Sequence, residues 1–137
     1  MKKVFLFLLV LAVIGVGVGW MMYNKPHENM ENAKADMQAD AKALFAAFSN
    51  DEAGANEKYL NKIVAVSGTV ADASKDEGGN TSVMLESEDM MFGVKCELDP
   101  LSAHKRTEFQ KGEQVTMKCI CTGYLSDVVM VRCVETK

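Results

Sequence analysis

Basic and aromatic residues are few and scattered in this chain of 137 residues. Aromatic residues account for 7% of it, and beyond residue 23 the longest run of basic residues is Lys105-Arg106. Proteins that bind nucleic acids need a basic surface, and those that bind single strands add aromatic rings on which the bases stack. The scarcity of both argues against a nucleic-acid partner.

Motifs of catalytic or metal chemistry are also missing. The sequence contains no phosphate-binding glycine loop, no metalloprotease helix and no recognisable Ser/His/Asp arrangement. Its two histidines, His27 and His104, are far apart, and its four cysteines lack the Cys-x-x-Cys spacing of zinc knuckles and thioredoxin-like sites. We therefore expect a protein that is not an enzyme and that holds no cofactor and no metal ion.

One long apolar run is present, at residues 4–23, directly after Lys2 and Lys3. A helix of that length spans about 30 Å, the thickness of the hydrocarbon core of a bilayer. The two lysines favour an amino terminus in the cytoplasm, which predicts a single-pass inner-membrane protein with its carboxyl-terminal domain in the periplasm or exterior. A cleaved signal peptide is the alternative, with Gly17 and Gly19 before the cut. Apolar residues continue past Gly19, and this favours a retained anchor.

The exported part is acidic and small. Two of the 15 basic residues precede the apolar run and all 19 acidic residues follow it, so the remainder carries a formal charge of −6. Its length suits one small domain. We divide the chain into an anchor (1–23), a linker with an amphipathic helix (24–54) and a folded domain (55–137).

The amphipathic helix is predicted from apolar residues that recur at spacings of three and four. The members of this stripe are Met30, Ala33, Met37, Ala41, Leu44 and Phe48. Such a stripe either packs on the domain or pairs with another envelope protein, which would make this a structural interaction protein. Too few heptads are present for a sustained coiled coil, so packing is favoured.

From Ile63 the apolar period changes to two, which predicts strands. A helix is predicted after the third strand, because Asp99 can cap it, Pro100 suits its first position and Gly112 can end it. Three strands, a helix and a two-stranded hairpin are the order of an OB-fold, a five-stranded Greek-key barrel. The predicted strands cover residues 63–70, 81–86, 92–98, 115–122 and 129–133.

Two segments carry a resemblance to a known family. The stretches YLNKIVAVSGTV and KGEQVTMKCICTGYLSDVVMVRC resemble the bacterial tRNA_anti-like family of OB-fold proteins, over about residues 55–134. The anchor followed by YNKPH is similar to family members that are exported and tethered to a membrane. The resemblance implies an OB barrel outside the cytoplasm and supplies no catalytic residues.

The cysteines at positions 96, 119, 121 and 133 all occupy inward positions on predicted strands. Three roles stay open: buried free thiols, one disulfide, or a redox or metal role for Cys96, Cys121 and Cys133. The disulfide would join Cys121 to Cys133 if the hairpin register sets them opposite each other. Soft ligands at Met90 and Met91 raise a further alternative, a Cu(I) site, against ordinary packing.

The usual ligand face of an OB-fold comprises its second and third strands with the adjoining loops. Candidate ligand-binding residues there are Lys75, Met84, Lys95 and Tyr124. We predict a membrane-anchored extracytoplasmic binding module for an unknown protein, peptide or small ligand, held to the membrane through residues 4–23. Its predicted surface includes loop 71–80 and turn 123–127.

Overall fold

The computed structural model describes residues 1–24 and 29–136. Three helices and six strands follow one another along the chain. They are α1 (Lys2–Tyr23), β1 (Met37–Asp40), α2 (Ala41–Asn50), α3 (Glu52–Tyr59), β2 (Ile63–Lys75), β3 (Thr81–Leu85), β4 (Val94–Leu98), β5 (Gln114–Tyr124) and β6 (Val128–Thr136).

Helix α1 is long and apolar enough to cross a membrane, judged by length and composition. Its 22 residues extend about 33 Å at 1.5 Å per residue. None of its side chains is buried against the rest of the protein. The helix therefore makes no contribution to the core.

Strands β2 to β6 form a closed, mainly antiparallel barrel, which confirms the predicted OB-fold. Strand β2 has 13 residues because it serves two neighbours: its first half pairs with β5 and its second half with β3. Strand β6 lies between β4 and β5, parallel to the former and antiparallel to the latter. Inward side chains of all five strands belong to one buried cluster.

The helix predicted over the apolar stripe begins only at Ala41. The preceding residues enter the sheet instead, where β1 runs parallel to β2 with Met37 opposite Val64. Asp40 separates the two structures, since its carboxylate accepts hydrogen bonds from the backbone N–H groups of Lys42 (3.0 Å) and Ala43 (3.4 Å). The stripe does pack, as predicted: four of its six members, Met30, Ala41, Leu44 and Phe48, are buried.

The helix predicted after the third barrel strand is wrong, because residues 99–113 form turns. Asp99 does accept a hydrogen bond from Leu101 N (3.2 Å), but only a single turn follows. The segment has no buried apolar face of the kind that a packed helix needs. Leu101 is 67% exposed, and Phe109 is the one buried large apolar residue in the segment. The helix that packs against the core is instead α2, which places Leu44, Phe45 and Phe48 against the strands.

Candidate functional site

A disulfide joins Cys119 on β5 to Cys133 on β6, with an S–S distance of 2.02 Å. The predicted Cys121–Cys133 pairing is therefore wrong. Its cause is a β-bulge: Lys118 pairs with Val134 and Ile120 with Val131, so Cys119 faces two residues of β6. One of these, Arg132, has a positive φ of 54°, and the extra residue moves Cys133 onto Cys119. Cys121 instead lies opposite Met130.

Cys96 lies beside this disulfide as a free thiol. The Sγ atoms of Cys96, Cys119 and Cys133 all lie within 4.8 Å of one another, and all three residues are fully buried. Burial raises the pKa of the Cys96 thiol to about 12, so it stays protonated at neutral pH. Burial also raises the pKa of Cys121. A protonated thiol is a poor nucleophile and a poor metal ligand, so the arrangement acts as a crosslink packed against a small apolar side chain.

Two predicted ligand-binding residues meet on the outer face of the barrel. Met84 on β3 and Lys95 on β4 are direct cross-strand partners, with Ser82 and Glu97 as the next outward pair. The Lys95 Nζ lies 3.1 Å from the Glu97 Oε1, with both side chains partly exposed. This face therefore offers one thioether and an ion pair, without an aromatic ring.

Lys75 lies apart from that pair, at the end of β2. It is opposite Thr81, three residues along β3 from Met84, which corresponds to about 10 Å. Its Nζ is 3.9 Å from the Glu108 Oε1, across an open cavity of about 770 Å³. The adjoining hairpin is closed by Asp76, which accepts hydrogen bonds from the side chain and the backbone of Asn80 and whose pKa is thereby lowered.

Tyr124 has a packing role. Its ring stacks on Phe48 and meets the edge of Phe45, with centroid distances of 6.0 Å in both pairs. These contacts join the end of β5 to α2. Of the four candidate residues, the structure therefore brings Met84 and Lys95 together and places Lys75 and Tyr124 elsewhere.

The β3–β4 loop and the β5–β6 turn together form a second exposed surface. Met90 and Met91 in the β3–β4 loop and Leu125 in the β5–β6 turn are more than four-fifths exposed. The two loops are joined at Gly93, whose N–H donates to the Asp127 Oδ1 (2.9 Å) and whose carbonyl accepts from Val128 N (3.0 Å). Sequence reasoning named Met90 and Met91 as candidate metal ligands and turn 123–127 as part of a binding surface, but it missed that the two loops lie together. The signal for this surface is three consecutive apolar residues, Met90 to Phe92, within a polar loop.

Residues 29–36, which precede β1, are held against the outside of the barrel by hydrogen bonds, and we call them the fastened segment. Lys118 is almost buried, and its Nζ donates to the carbonyl oxygens of Glu31 (3.1 Å) and Ala33 (2.6 Å). The Glu31 carboxylate in turn accepts from the N–H of Ala103 (2.7 Å). Glu31, Ala103 and Lys118 line an open cavity of about 690 Å³.

The other wall of that cavity carries an ion-pair network. Arg106 donates two hydrogen bonds to Glu135 (2.9 and 2.6 Å) and one to Glu113 (3.0 Å). These bonds raise the pKa of Arg106 and lower that of Glu135. The charge of the guanidinium is thus neutralised by two carboxylates, which disfavours an anionic ligand at Arg106.

The family comparison covers almost the whole protein. The model of the tRNA_anti-like family matches residues 1–135, which include α1, the fastened segment and all five strands of the barrel. No curated protein and no solved structure matches the chain. On this match, together with the closed five-stranded barrel, the chain belongs to the tRNA_anti-like family.

Proposed function

We propose that this protein is a membrane-anchored binding module without enzymatic activity, whose barrel lies in the periplasm or exterior. The observation that carries the location is the Cys119–Cys133 disulfide behind a single apolar helix. Disulfides persist in oxidising compartments and are rare in the cytosol. A retained α1, preceded by Lys2 and Lys3, then anchors the protein in the inner membrane with its amino terminus inside.

The ligand is a protein, a peptide or a small molecule that meets the outer face of β3 and β4. Met84 and Lys95 lie at the centre of this face, and Lys75 with the 76–80 hairpin lies at one end of it. These side chains point away from the core, so they can change without loss of the fold. Nucleic acid is disfavoured because Lys95 is paired with Glu97 and the exported part carries excess negative charge.

Location is tested by counting thiols in protein isolated from cells under alkylating conditions. Under denaturing conditions without reductant we expect two alkylated cysteines, Cys96 and Cys121, and after reduction all four. Protease added to spheroplasts should also digest the barrel and leave a membrane-protected fragment that contains α1. Four alkylated thiols before reduction, or a protected barrel, would contradict the proposed location.

The binding surface is tested by placing a photo-crosslinking residue at position 84 or 95 in cells. We expect the same crosslinked partner from both positions, and none from Lys62, an exposed residue that precedes β2 and is ten residues from Asp72, the cross-strand partner of Met84. Substitution of Lys95→Glu should reduce the Met84 crosslink while the purified barrel keeps its unfolding midpoint. Unchanged crosslinking in that variant would remove Lys95 from the surface.

A thiol redox or metal-binding protein is the second candidate. The predicted set of Cys96, Cys121 and Cys133 does not form, because Cys121 lies opposite Met130, but the sulfurs of Cys96, Cys119 and Cys133 are neighbours and favour the same role. After reduction by a dithiol, three thiols at this spacing form a set that suits a soft cation such as Cu(I). The reduced protein would then bind one Cu(I) per chain, and Cys96→Ala would abolish binding. The burial of all three residues and the raised pKa of Cys96 oppose this candidate.

A structural role through the membrane-proximal helix has less support. The apolar side of α2 is already used by the core, and the side chains that α2 leaves exposed are those of Lys42, Ala43, Ser49 and Asn50. A polar substitution at Leu44 should therefore unfold the barrel, whereas the barrel would stay folded if Leu44 served only to pair with another protein. Met37, the other residue of the stripe at which pairing could be tested, lies in β1 and is partly buried.

A further inference from the structure

The exposed apolar side chains of the folded part are concentrated at one place. Among the described residues beyond α1, six large apolar side chains are exposed, and four of them belong to the β3–β4 loop and the β5–β6 turn. These four are Met90, Met91, Phe92 and Leu125, with exposures of 102%, 81%, 39% and 86%. We call them the methionine tip. Three of the four are consecutive in the chain, and the hydrogen bond from the Gly93 N–H to the Asp127 Oδ1 joins their loop to the turn that contains Leu125. Exposed apolar side chains that are grouped on a folded surface favour an interaction site.

The methionine tip is held in a fixed shape by its own hydrogen bonds. The Asp89 carboxylate accepts from the N–H groups of Met91 (2.7 Å) and Phe92 (3.1 Å), and the hydroxyl of Ser87 donates to the Phe92 carbonyl. Gly93 completes the loop, since a Cβ atom there would lie 2.3 Å from the carbonyl oxygen of Leu85. A loop ordered in advance loses less conformational entropy on binding.

The two loops that form the methionine tip carry negative charge and contain no lysine or arginine, and the nearest cation along the chain, Lys95, is paired with Glu97. Glu86, Glu88 and Asp89 precede the two methionines, and no lysine or arginine occurs at positions 76–94 or 119–131, which contain both loops. Anionic lipid headgroups and acidic proteins would be repelled. An apolar surface with a basic rim is complementary to both features of the tip.

The methionine tip also lies away from the attachment to α1. The fastened segment contacts Lys118 and Ala103, whereas the tip adjoins Tyr124 and Val128 at the other end of the β5–β6 hairpin. Six residues of β5 separate Lys118 from Tyr124, which corresponds to about 20 Å. A partner can therefore reach the tip while the protein is anchored.

We propose that the methionine tip docks a partner protein through an amphipathic helix whose apolar face is flanked by lysine or arginine. Flexible methionine side chains adapt to differently shaped apolar faces, and an amphipathic helix supplies such a face at regular spacing. The proposal shares the binding role of the proposed function but uses a different surface from Met84 and Lys95.

The test places a photo-crosslinking residue at positions 90, 91 or 125 of the full-length protein in cells. Leu101 is the matched control, because it is an exposed leucine (67%) in a different loop. The crosslinked peptide is identified by mass spectrometry. We expect one partner from all three positions and not from Leu101, with the crosslinked peptide in an apolar segment flanked by basic residues.

Charge is tested separately with the double substitution Glu86→Lys and Glu88→Lys, which leaves the structural carboxylate of Asp89 intact. Crosslinking from position 91 should fall about tenfold, as expected when favourable ion pairs become repulsive. Glu108→Lys is the control, since Glu108 is exposed and belongs to another loop. Retained unfolding midpoints in both variants exclude misfolding as the cause.

Each other outcome overturns the proposal. Adducts with lipid would identify the bilayer as the occupant, and adducts with a second copy would identify self-association. An acidic crosslinked peptide would contradict the charge argument. If positions 90, 91 and 125 give no crosslinks while positions 84 and 95 do, the methionine tip is not a docking site. The proposed function would then still stand.

Discussion

The Cys119–Cys133 disulfide should supply a substantial part of the stability of the barrel. The two cysteines are 14 residues apart in sequence, so the bond closes a loop of about 15 residues. The chain-entropy relation gives about 3 kcal/mol for a loop of that size at 25 °C. With a urea m-value of about 2 kcal/mol/M, this corresponds to a shift of about 1.5 M in the unfolding midpoint.

The assay is urea unfolding of the full-length protein in detergent, with circular dichroism as the signal, because the one tryptophan, Trp20, lies on α1 outside the core. Both cysteines are fully buried, so reduction is carried out in denaturant before refolding. Reduced protein should unfold about 1.5 M earlier than oxidised protein. The double variant Cys119→Ala/Cys133→Ala should unfold at one midpoint with or without reductant.

Cys121→Ala is the decisive control for the bulged register. This variant retains the bonded pair, so the effect of reductant should persist in it. If the effect disappears in Cys121→Ala and remains after Cys119→Ala, the bond joins Cys121 to Cys133 and the described register is wrong. A shift below about 0.5 M in the native protein would refute the stabilisation argument itself.

Three further predictions concern other contacts. Gly93→Ala should destabilise the barrel by about 2–3 kcal/mol in urea unfolding, because its Cβ would overlap the Leu85 carbonyl oxygen. Lys118→Met leaves two backbone carbonyls unpaired and should cost about 1–3 kcal/mol, while the exposed Lys62→Met should have little effect. Burial raises the pKa of Cys96 to about 12 from an ordinary value of 9.0, so the contribution of the protonated thiol to the free energy of folding is fully present below pH 9. This contribution should decline as pH rises towards 12, and native alkylation of Cys96 should stay negligible at pH 8.

Local patterns predicted the fold well, for identifiable reasons. The apolar run at residues 4–23 matches the thickness of a bilayer core. Alternation placed the barrel strands within about three residues of their observed bounds, except that β2 extends to Lys75, five residues into the predicted loop 71–80. The two helical errors have a common origin. The sequence offered two candidate helices, one on either side of the first three barrel strands, and propensity did not indicate which of them would fill the core. The stripe ending at Phe48 had enough apolar residues to do so, whereas the segment after Asp99 had two large ones, Leu101 and Phe109, of which only Phe109 is buried.

The candidate site was less predictable because it depends on pairing between distant residues. Alternation alone placed all four cysteines inside the barrel, and all four are buried there. The choice of Cys119 as the partner of Cys133 depends on one extra residue, Arg132, in the β6 side of the hairpin. Likewise, neither Met90 nor Leu125 indicates in sequence that the loops are neighbours, since they meet only through the parallel pairing of β4 with β6.

By itself the sequence determined the apolar amino-terminal helix, the number and order of the barrel strands and the acidic character of the residues that follow that helix, because each depends on residues close together in the chain. Only the tertiary structure decided which cysteines are bonded, which helix fills the core and which loops form one surface. Those outcomes depend on strand register, and a shift of one residue reverses which side chains meet.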